Sequence, residues 1–417
     1  MGKTPRRRVA VTGVGLVNPF GGDTDDFFAR IMRGESAVAL YRHPASPDDL
    51  AQPAVRCVSF SPEQTIGRAL SSVTDRYSQF GIAAAFSAWS DAGLSRTGSG
   101  SDDYGVSWGT GVGGALTYEK GYTDFFERDK RRMSPLTVAL AMNNAAASNI
   151  AIALGLGGAC LSYSVACASS AVSIGEACRR IQSGESTLVV AGGSEAPLAL
   201  SIMLAWDAMR VVAEGDEETA FRACRPFQLG RTGLVLGEGG AAMVLEDWDH
   251  AVARGARIYC ELAGYGQSCD HTHLVRPDAN GQVKAIGAAM REAGVSPADI
   301  GYVNAHGTAT QEGDPIEIGA LRTAFGDAAA GLAVSSTKSM HGHMLGAAGA
   351  MEAVITVLAL AKQEIPPTAH LEEISADCQG VRHVMGAGLK GASFQAAISN
   401  SFAFGGSNAV LLFKRAS

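Results

Sequence analysis

The stretch "SVACASSAVSIGEACRR", residues 164–180, carries a short extended run over residues 161–166 into a lone cysteine. Past it the apolar residues take a helical spacing, with Ala171, Ile174, Gly175, Cys178 and Ile181 on one face. Glu176, Arg179, Arg180 and Gln182 fall largely on another face. Cys167 is therefore expected just before or within the first turn of a helix. A helix N-terminus stabilises a thiolate and can lower a thiol from ~8.5 towards neutrality. The neighbours Ala166, Ala168, Ser169 and Ser170 are small, so a carbonyl carbon can approach, and backbone N–H groups of such a turn can hold an oxyanion. The competing reading is a buried structural thiol. It is assigned to the other seven cysteines, Cys57, Cys160, Cys178, Cys224, Cys260, Cys269 and Cys378, none of them in a CxxC pair.

Two further segments carry imidazoles. "YVNAHGTAT", residues 302–310, alternates so that Tyr302, Asn304 and His306 share one strand face, with His306 at the strand end before Gly307. "STKSMHGHMLGAAGA", residues 336–350, sets Lys338, His341 and His343 ahead of a glycine- and alanine-rich helix. The His-x-His pairs His271/His273 and His341/His343 raise the question of a metal. No adjacent carboxylate or cysteine completes a ligand set at the usual spacing, so no metal is expected. "GTGVGG", residues 109–114, satisfies the glycine pattern of a dinucleotide loop. The crossover helix after it, over residues 115–122, is weak, and no acidic-ended strand follows, so a dinucleotide is not expected either.

The elements that position these residues come in two sets. "VAVTGVG" near the start and "YCELAGYG" later are both strands closing on Gly-x-Gly. "AAAFSAWSDAGLS…DDYGVSWGTG" and "AIGAAMREAGVSPADIGYVNAHGT" each run from a helix ending at glycine into a strand and then Gly-Thr. The cysteine and lysine–histidine segments form a third pair, each strand, turn and small-residue helix. "STLVVAGGSEAP" and "SFQAAISNSFAFGGSN" form a fourth. A duplication is inferred, with halves over residues 1–255 and 256–417, built as α/β layers with mostly parallel sheets. In such sheets ligands sit beyond the carboxyl ends of the strands, where Cys167, His306 and the segment 338–343 all fall. Packed face to face, the halves would bring thiol and imidazoles together.

Bulk properties exclude other classes. The 417 residues are 47% hydrophobic and 18% charged, as in a well-buried globular chain. A formal net charge of −7 argues against broad nucleic-acid or membrane-surface binding. The basic start leads into a run broken by Thr12, Gly13 and Gly15, read as a first strand and turn rather than a signal peptide. Arg6 stands where a myristoylation signal wants Ser or Thr. The longest apolar helix, over residues 344–361, carries Glu352 at its middle and is expected in the core. A cytoplasmic location with reduced thiols is expected.

Taken together, "ACASSA", "NAHGTATQEGD", "SSTKSMHGHMLGAAGAMEA" and "SNSFAFGGSN" resemble the motifs of elongating β-ketoacyl-acyl-carrier-protein synthases of the thiolase superfamily, in the same order along nearly the whole chain. The resemblance implies a thiolase-like, duplicated five-layer α-β-α-β-α fold and a homodimer. It also implies decarboxylative Claisen condensation of an acyl group with malonyl groups carried on acyl carrier protein, with no metal or redox cofactor. By motif position it makes Cys167 the nucleophile, and His306 and His343, rather than His341, the paired imidazoles. Lys338 becomes their cation and Glu352 the buried glutamate. Thr308 and Thr310 line the pantetheine tunnel, and Phe404 is the aromatic gate. Arg131, Arg132 and Arg210 fall where related synthases carry carrier-docking residues, while Ser72 and Val73 replace another basic pair. The chain departs from the family pattern at Ser170, His341, Ala403 and Ser407. Two rivals are a thiolase acting on coenzyme A esters, which would need a second cysteine, and a chain-length-factor subunit, which lacks the nucleophile.

Overall fold

The computed structural model describes residues 6–46 and 50–416; the first five residues of the basic start lie outside the described residues. Eleven strands join in one hydrogen-bonded array. They are β1 (Val9–Val17), β2 (Tyr104–Gly109), β3 (Cys160–Tyr163), β4 (Leu188–Glu195), β5 (Gly239–Asp247), β6 (Cys260–Cys269), β7 (Ile300–Asn304), β8 (Ala333–Ser335), β9 (Arg382–His383), β10 (Ala396–Phe402) and β11 (Ser407–Arg415). From its middle outward the first half runs β1-β5-β4-β2-β3, and the second runs β6-β11-β10-β7-β8, with β9 added at the edge. The two orders are the same once each strand is matched by its place in the chain. The arrays meet at one short antiparallel contact, Ala10 and Val11 with Glu261 and Cys260.

The sheets are mixed rather than mostly parallel. In each half three strands are parallel (β3, β2, β4 and β8, β7, β10), and the last two pair antiparallel to their neighbours. In the second half the cause is local: a tight turn links β10 to β11, and so short a link permits only an antiparallel pair. β4 and β5 are buried along their whole length, which explains their unbroken runs of apolar and small residues.

Eight of the helices among the described residues bear on the site's frame: α1 (Arg76–Asp91), α2 (Ala115–Phe126), α3 (Ala145–Leu154), α4 (Ser169–Gln182), α5 (Leu200–Ala208), α6 (Ala279–Ala293), α7 (Gly313–Phe325) and α8 (Ala348–Lys362). α1 and α3 cover the outer face of the first array, and α6 and α7 cover that of the second. α4 and α8 lie between the arrays and touch both, giving the five layers expected. Residues 345–362 form the one helical stretch among the described residues long and apolar enough to cross a membrane, and it is buried at the molecular centre. A helix apolar all round suits a position enclosed on every side.

The small residues of α4 and α8 let their backbones approach. A Cβ on Gly349 would lie 2.9 Å from the Ala171 Cβ, and Ala350 N–H donates across the interface to Ser170 Oγ at 2.8 Å. The turn between β3 and α4 carries the cysteine, and the link from β8 to α8, which includes a short helix over Lys338–His341, carries the lysine and histidines, so both strand ends deliver chemistry-bearing residues to one place.

Candidate active site

β3 stops at Tyr163, sooner than the sequence suggests, because residues 164–168 form the turn that presents the cysteine. Ala166 takes φ 45°, a left-handed conformation that a residue with a Cβ seldom adopts. Ser169 holds it there: its hydroxyl donates to Ala166 O at 2.6 Å and accepts from Val165 N–H at 2.8 Å. Cys167 thus stands at the head of α4, only 6% exposed.

His343 reaches it from the other half, with Nε2 3.1 Å from the Cys167 Sγ. His306 sits beside His343, ring centroids 5.4 Å apart and nearly perpendicular at 83°. Lys338 Nζ lies 3.4 Å from His306 Nδ1 and is paired with Glu352, both fully buried. An ammonium only donates, so His306 Nδ1 accepts and its own proton sits on Nε2. His341 is turned away, its ring nitrogens on Thr337 Oγ1 at 3.0 Å and Gly342 O at 2.8 Å. The backbone of His343 is fixed by His343 N–H to Val235 O at 2.6 Å and Gly237 N–H to His343 O at 3.0 Å.

Burial sets the protonation states. It holds His306 and His343 well below the usual imidazole range, and the Lys338 charge adds to the effect. Both rings are neutral at physiological pH. Burial pushes Glu352 up to about 7, with Lys338 pulling the other way. The Cys167 thiol is pushed up to about 11 by burial, against the opposing pull of Lys338 and of the Phe404 and Cys167 backbone N–H groups. Burial thus outweighs the Lys338 charge and the two N–H groups at the resting thiol. The ligating atoms of Cys167, His306 and His343 lie within 4.8 Å of one another, a donor set that suits zinc. The Lys338 charge beside His306 opposes a divalent cation there.

A cavity of about 400 Å³ leads to this cluster and is lined by Cys167, both imidazoles, Thr308, Thr310 and Phe404. The two threonine hydroxyls are 3.1 Å apart. Arg210 lines the same cavity, and so does Arg276, which the sequence did not single out. Arg131 and Arg132 are exposed and not part of the lining; Arg131 pairs with Asp129 at 3.0 Å. Cys160 and Cys269 are exposed rather than buried, and all eight cysteines are unpaired.

Three supports were not foreseen. Glu317 of α7 accepts from His306 N–H at 2.9 Å, Gly307 N–H at 2.8 Å and Asn400 Nδ2 at 3.0 Å. Glu195, at the end of β4, accepts from Gly111, Val112 and Gly346 N–H and from the Thr110 hydroxyl. Burial pushes Glu195 up to about 7. The glycine-rich loop that mimics a dinucleotide motif thus presents N–H groups to a carboxylate of this same chain. An acid closing an all-buried strand was the one sequence signal for Glu195. Trp206, from α5, stacks on Phe404 with centroids 5.7 Å apart and planes at 22°.

Residues 6–251 match the N-terminal domain of β-ketoacyl synthases, and residues 259–372 match the C-terminal domain. The chain belongs to the β-ketoacyl synthase family. It is 38% identical to the 3-oxoacyl-[acyl-carrier-protein] synthase 2 of Vibrio cholerae, over 98% of this chain and 99% of that protein. Among solved structures it is similar to the ishigamide ketosynthase/chain length factor, with a TM-score of 0.92 and 30% identity over 99% of this chain and 100% of that one. It is also similar to AntDE:AntF, a type II PKS acyl-carrier protein in complex with its ketosynthase, at TM-score 0.89 and 28% identity, over 99% and 100% of the two chains.

A neutral thiol beside neutral imidazoles makes a pH prediction. Only the thiolate is nucleophilic, so alkylation of Cys167 by iodoacetamide should climb roughly tenfold per pH unit from pH 7 to 10 with no plateau. A plateau between pH 7 and 8, read by mass spectrometry of the Cys167 peptide, would instead reveal a thiolate–imidazolium pair.

Proposed function

We propose that the chain is a 3-oxoacyl-[acyl-carrier-protein] synthase, condensing an acyl group held on Cys167 with malonyl-carrier protein in fatty acid or related lipid or polyketide synthesis. The observation that carries this reading is the Cys167 thiol within 3.1 Å of a neutral His343, with a second neutral imidazole beside it. In the first step Sγ attacks the carrier thioester and the carrier thiol leaves with the proton. Backbone N–H groups of Cys167 and Phe404 hold the tetrahedral oxyanion. In the second, the malonyl C–C bond breaks, CO₂ departs, and the electron pair forms an enolate. Nε2–H groups of His306 and His343 donate to its oxygen. Its carbon then attacks the acyl-cysteine and expels Sγ as a thiolate, which takes up a proton from solvent to regenerate the thiol. Lys338 keeps both rings neutral and fixes the His306 tautomer, and Glu352 neutralises Lys338. Thr308 and Thr310 grip the pantetheine arm, and Phe404 gates malonyl entry until Cys167 is acylated.

The rivals lack support. Cys167 is the sole cysteine lining the cavity among the described residues, whereas a thiolase needs two. A chain-length-factor subunit would lack this nucleophile. We further propose residues 1–255 and 256–417 as the duplicated halves, and a cytoplasmic setting, in keeping with unpaired cysteines. A homodimer is supported by the exposed Tyr118, Tyr122, Phe125 and Phe126 of α2 together with the outer edge of β3. Docking of the acidic carrier is assigned to Arg131, Arg132 and Arg210, local positive charge on a chain of net −7.

Four outcomes are expected. Cys167→Ala abolishes acyl transfer and condensation, while Cys167→Gln retains malonyl decarboxylation because its amide imitates an acylated thiol. His306→Ala and His343→Ala each lose decarboxylation by about 10²–10³-fold, the usual effect of deleting one oxyanion donor, and His341→Ala stays mild. An essential His341 beside a dispensable His343, in assays with purified carrier proteins, would overturn the assignment. For docking, Arg131→Glu with Arg132→Glu raises KM for carrier-bound substrates at least about tenfold, ~1.4 kcal/mol, and leaves small pantetheine thioesters unaffected. The wild-type KM also rises with salt; equal loss on both substrate types would refute the docking role. For assembly, light scattering finds a dimer, and Tyr122→Glu with Phe126→Glu yields monomers; a monomeric wild type would reject it.

A further inference from the structure

We propose that Trp206 is the latch of the Phe404 gate: its indole holds the phenyl ring in the resting position, and with it the backbone donor that faces Cys167. The inference rests on the gating role proposed above. Trp206 lies near the end of α5, a helix of which Met203 is the one fully buried residue. The indole is half-buried: one side packs on a small apolar cluster that includes Met203, Leu234 and Leu345, and it also lines the cavity next to Phe404. Its near-parallel stack on Phe404, 5.7 Å between centroids, is the geometry aromatic pairs favour.

The chain beyond Phe404 runs through two glycines in the left-handed region. Gly405 and Gly406 take φ 87° and 75°, and a Cβ on Gly405 would meet nothing within 4 Å. The far side of the loop is tied down, by Gly405 N–H to Leu274 O at 2.6 Å and Asp270 N–H to Gly406 O at 2.8 Å. The near side is held by Ala403 N–H to Ser407 O at 2.8 Å. Between these anchors the Phe404 ring leans on Trp206, while its N–H points at the thiol. A swing of the ring therefore moves the oxyanion donor too, and Trp206 restrains both. Arg210, four residues further on and lining the same cavity, places the latch beside the proposed entry for the carrier.

The test compares Trp206→Ala, Trp206→Leu and Trp206→Phe in the full-length protein, with Phe404→Ala as reference. Two readings are taken: the ratio of malonyl-carrier decarboxylation to condensation, and iodoacetamide alkylation of Cys167 at a fixed pH of about 8. Loss of one aromatic stack shifts a two-state population by about three- to tenfold. The Ala and Leu variants should raise both readings by at least about threefold, towards Phe404→Ala, and Trp206→Phe should restore the wild-type values. Wild-type readings in Trp206→Leu, or equal leakage in the Leu and Phe variants, would overturn the latch. Should Trp206→Ala fail to fold, the Leu and Phe pair still decides. A wild type that alkylates normally but condenses no carrier substrates would sink the proposed function instead, and alkylation would still report the latch.

Discussion

The site depends on one charge buried where water does not reach. Lys338 is fully enclosed between Glu352 and His306, at the junction of α8 with the second array. An ammonium in that setting is tolerable only with a partner, and breaking such a pair by removing one member typically costs about 3–5 kcal/mol. This accounts for an acid in the middle of a long, apolar, buried helix. It also explains why α8 is central: on the surface Glu352 would be hydrated and Lys338 would lose its influence on the rings. With the pair in place, the cation stands close enough to penalise a proton on either imidazole. The rings stay neutral donors, which is the state the proposed decarboxylation requires.

The same constraint explains the division of labour between halves. The first half supplies the thiol at the head of α4, and the second supplies both imidazoles and the cation. Neither array alone contains the site. The close crossing of α4 and α8, with Gly349 against Ala171, fixes the distance between the two contributions. A side chain at that contact would push Cys167 away from His343 even though it touches neither.

Much of this was legible in the sequence. A cysteine at a strand-to-helix turn and histidines at strand ends carry their own signals, and the internal repeat foretold two sets of strands in one order. The carboxylates that brace the site were less legible. Glu195 binds residues 83–85 positions earlier in the chain, and Gly346 151 positions later, so no local spacing betrays it. Strand direction was misjudged because alternating helices and strands suggest parallel sheets, whereas the antiparallel pairs of β10–β11 follow from a turn only a few residues long. The thiol was misjudged for a different reason: position at a helix terminus is visible in sequence, and depth of burial is not.

That last difference bears on how the nucleophile works. An ion pair of thiolate and imidazolium would place a cationic His343 in the same dry pocket as Lys338, and the geometry disfavours it. The resting pair is therefore uncharged, thiol beside imidazole. In the proposed acyl transfer, charge develops only as the carbonyl carbon arrives, when the Cys167 and Phe404 N–H groups and the terminus of α4 would have an anion to stabilise. An arrangement that holds these donors in place without forming the thiolate beforehand leaves most of their stabilisation to the transition state. It also leaves His343 with its proton on a neutral ring for the second step. One neutral site can thus serve an acyl transfer and a decarboxylation in turn, provided that the Phe404 donor stays aligned through the first and its ring moves before the second.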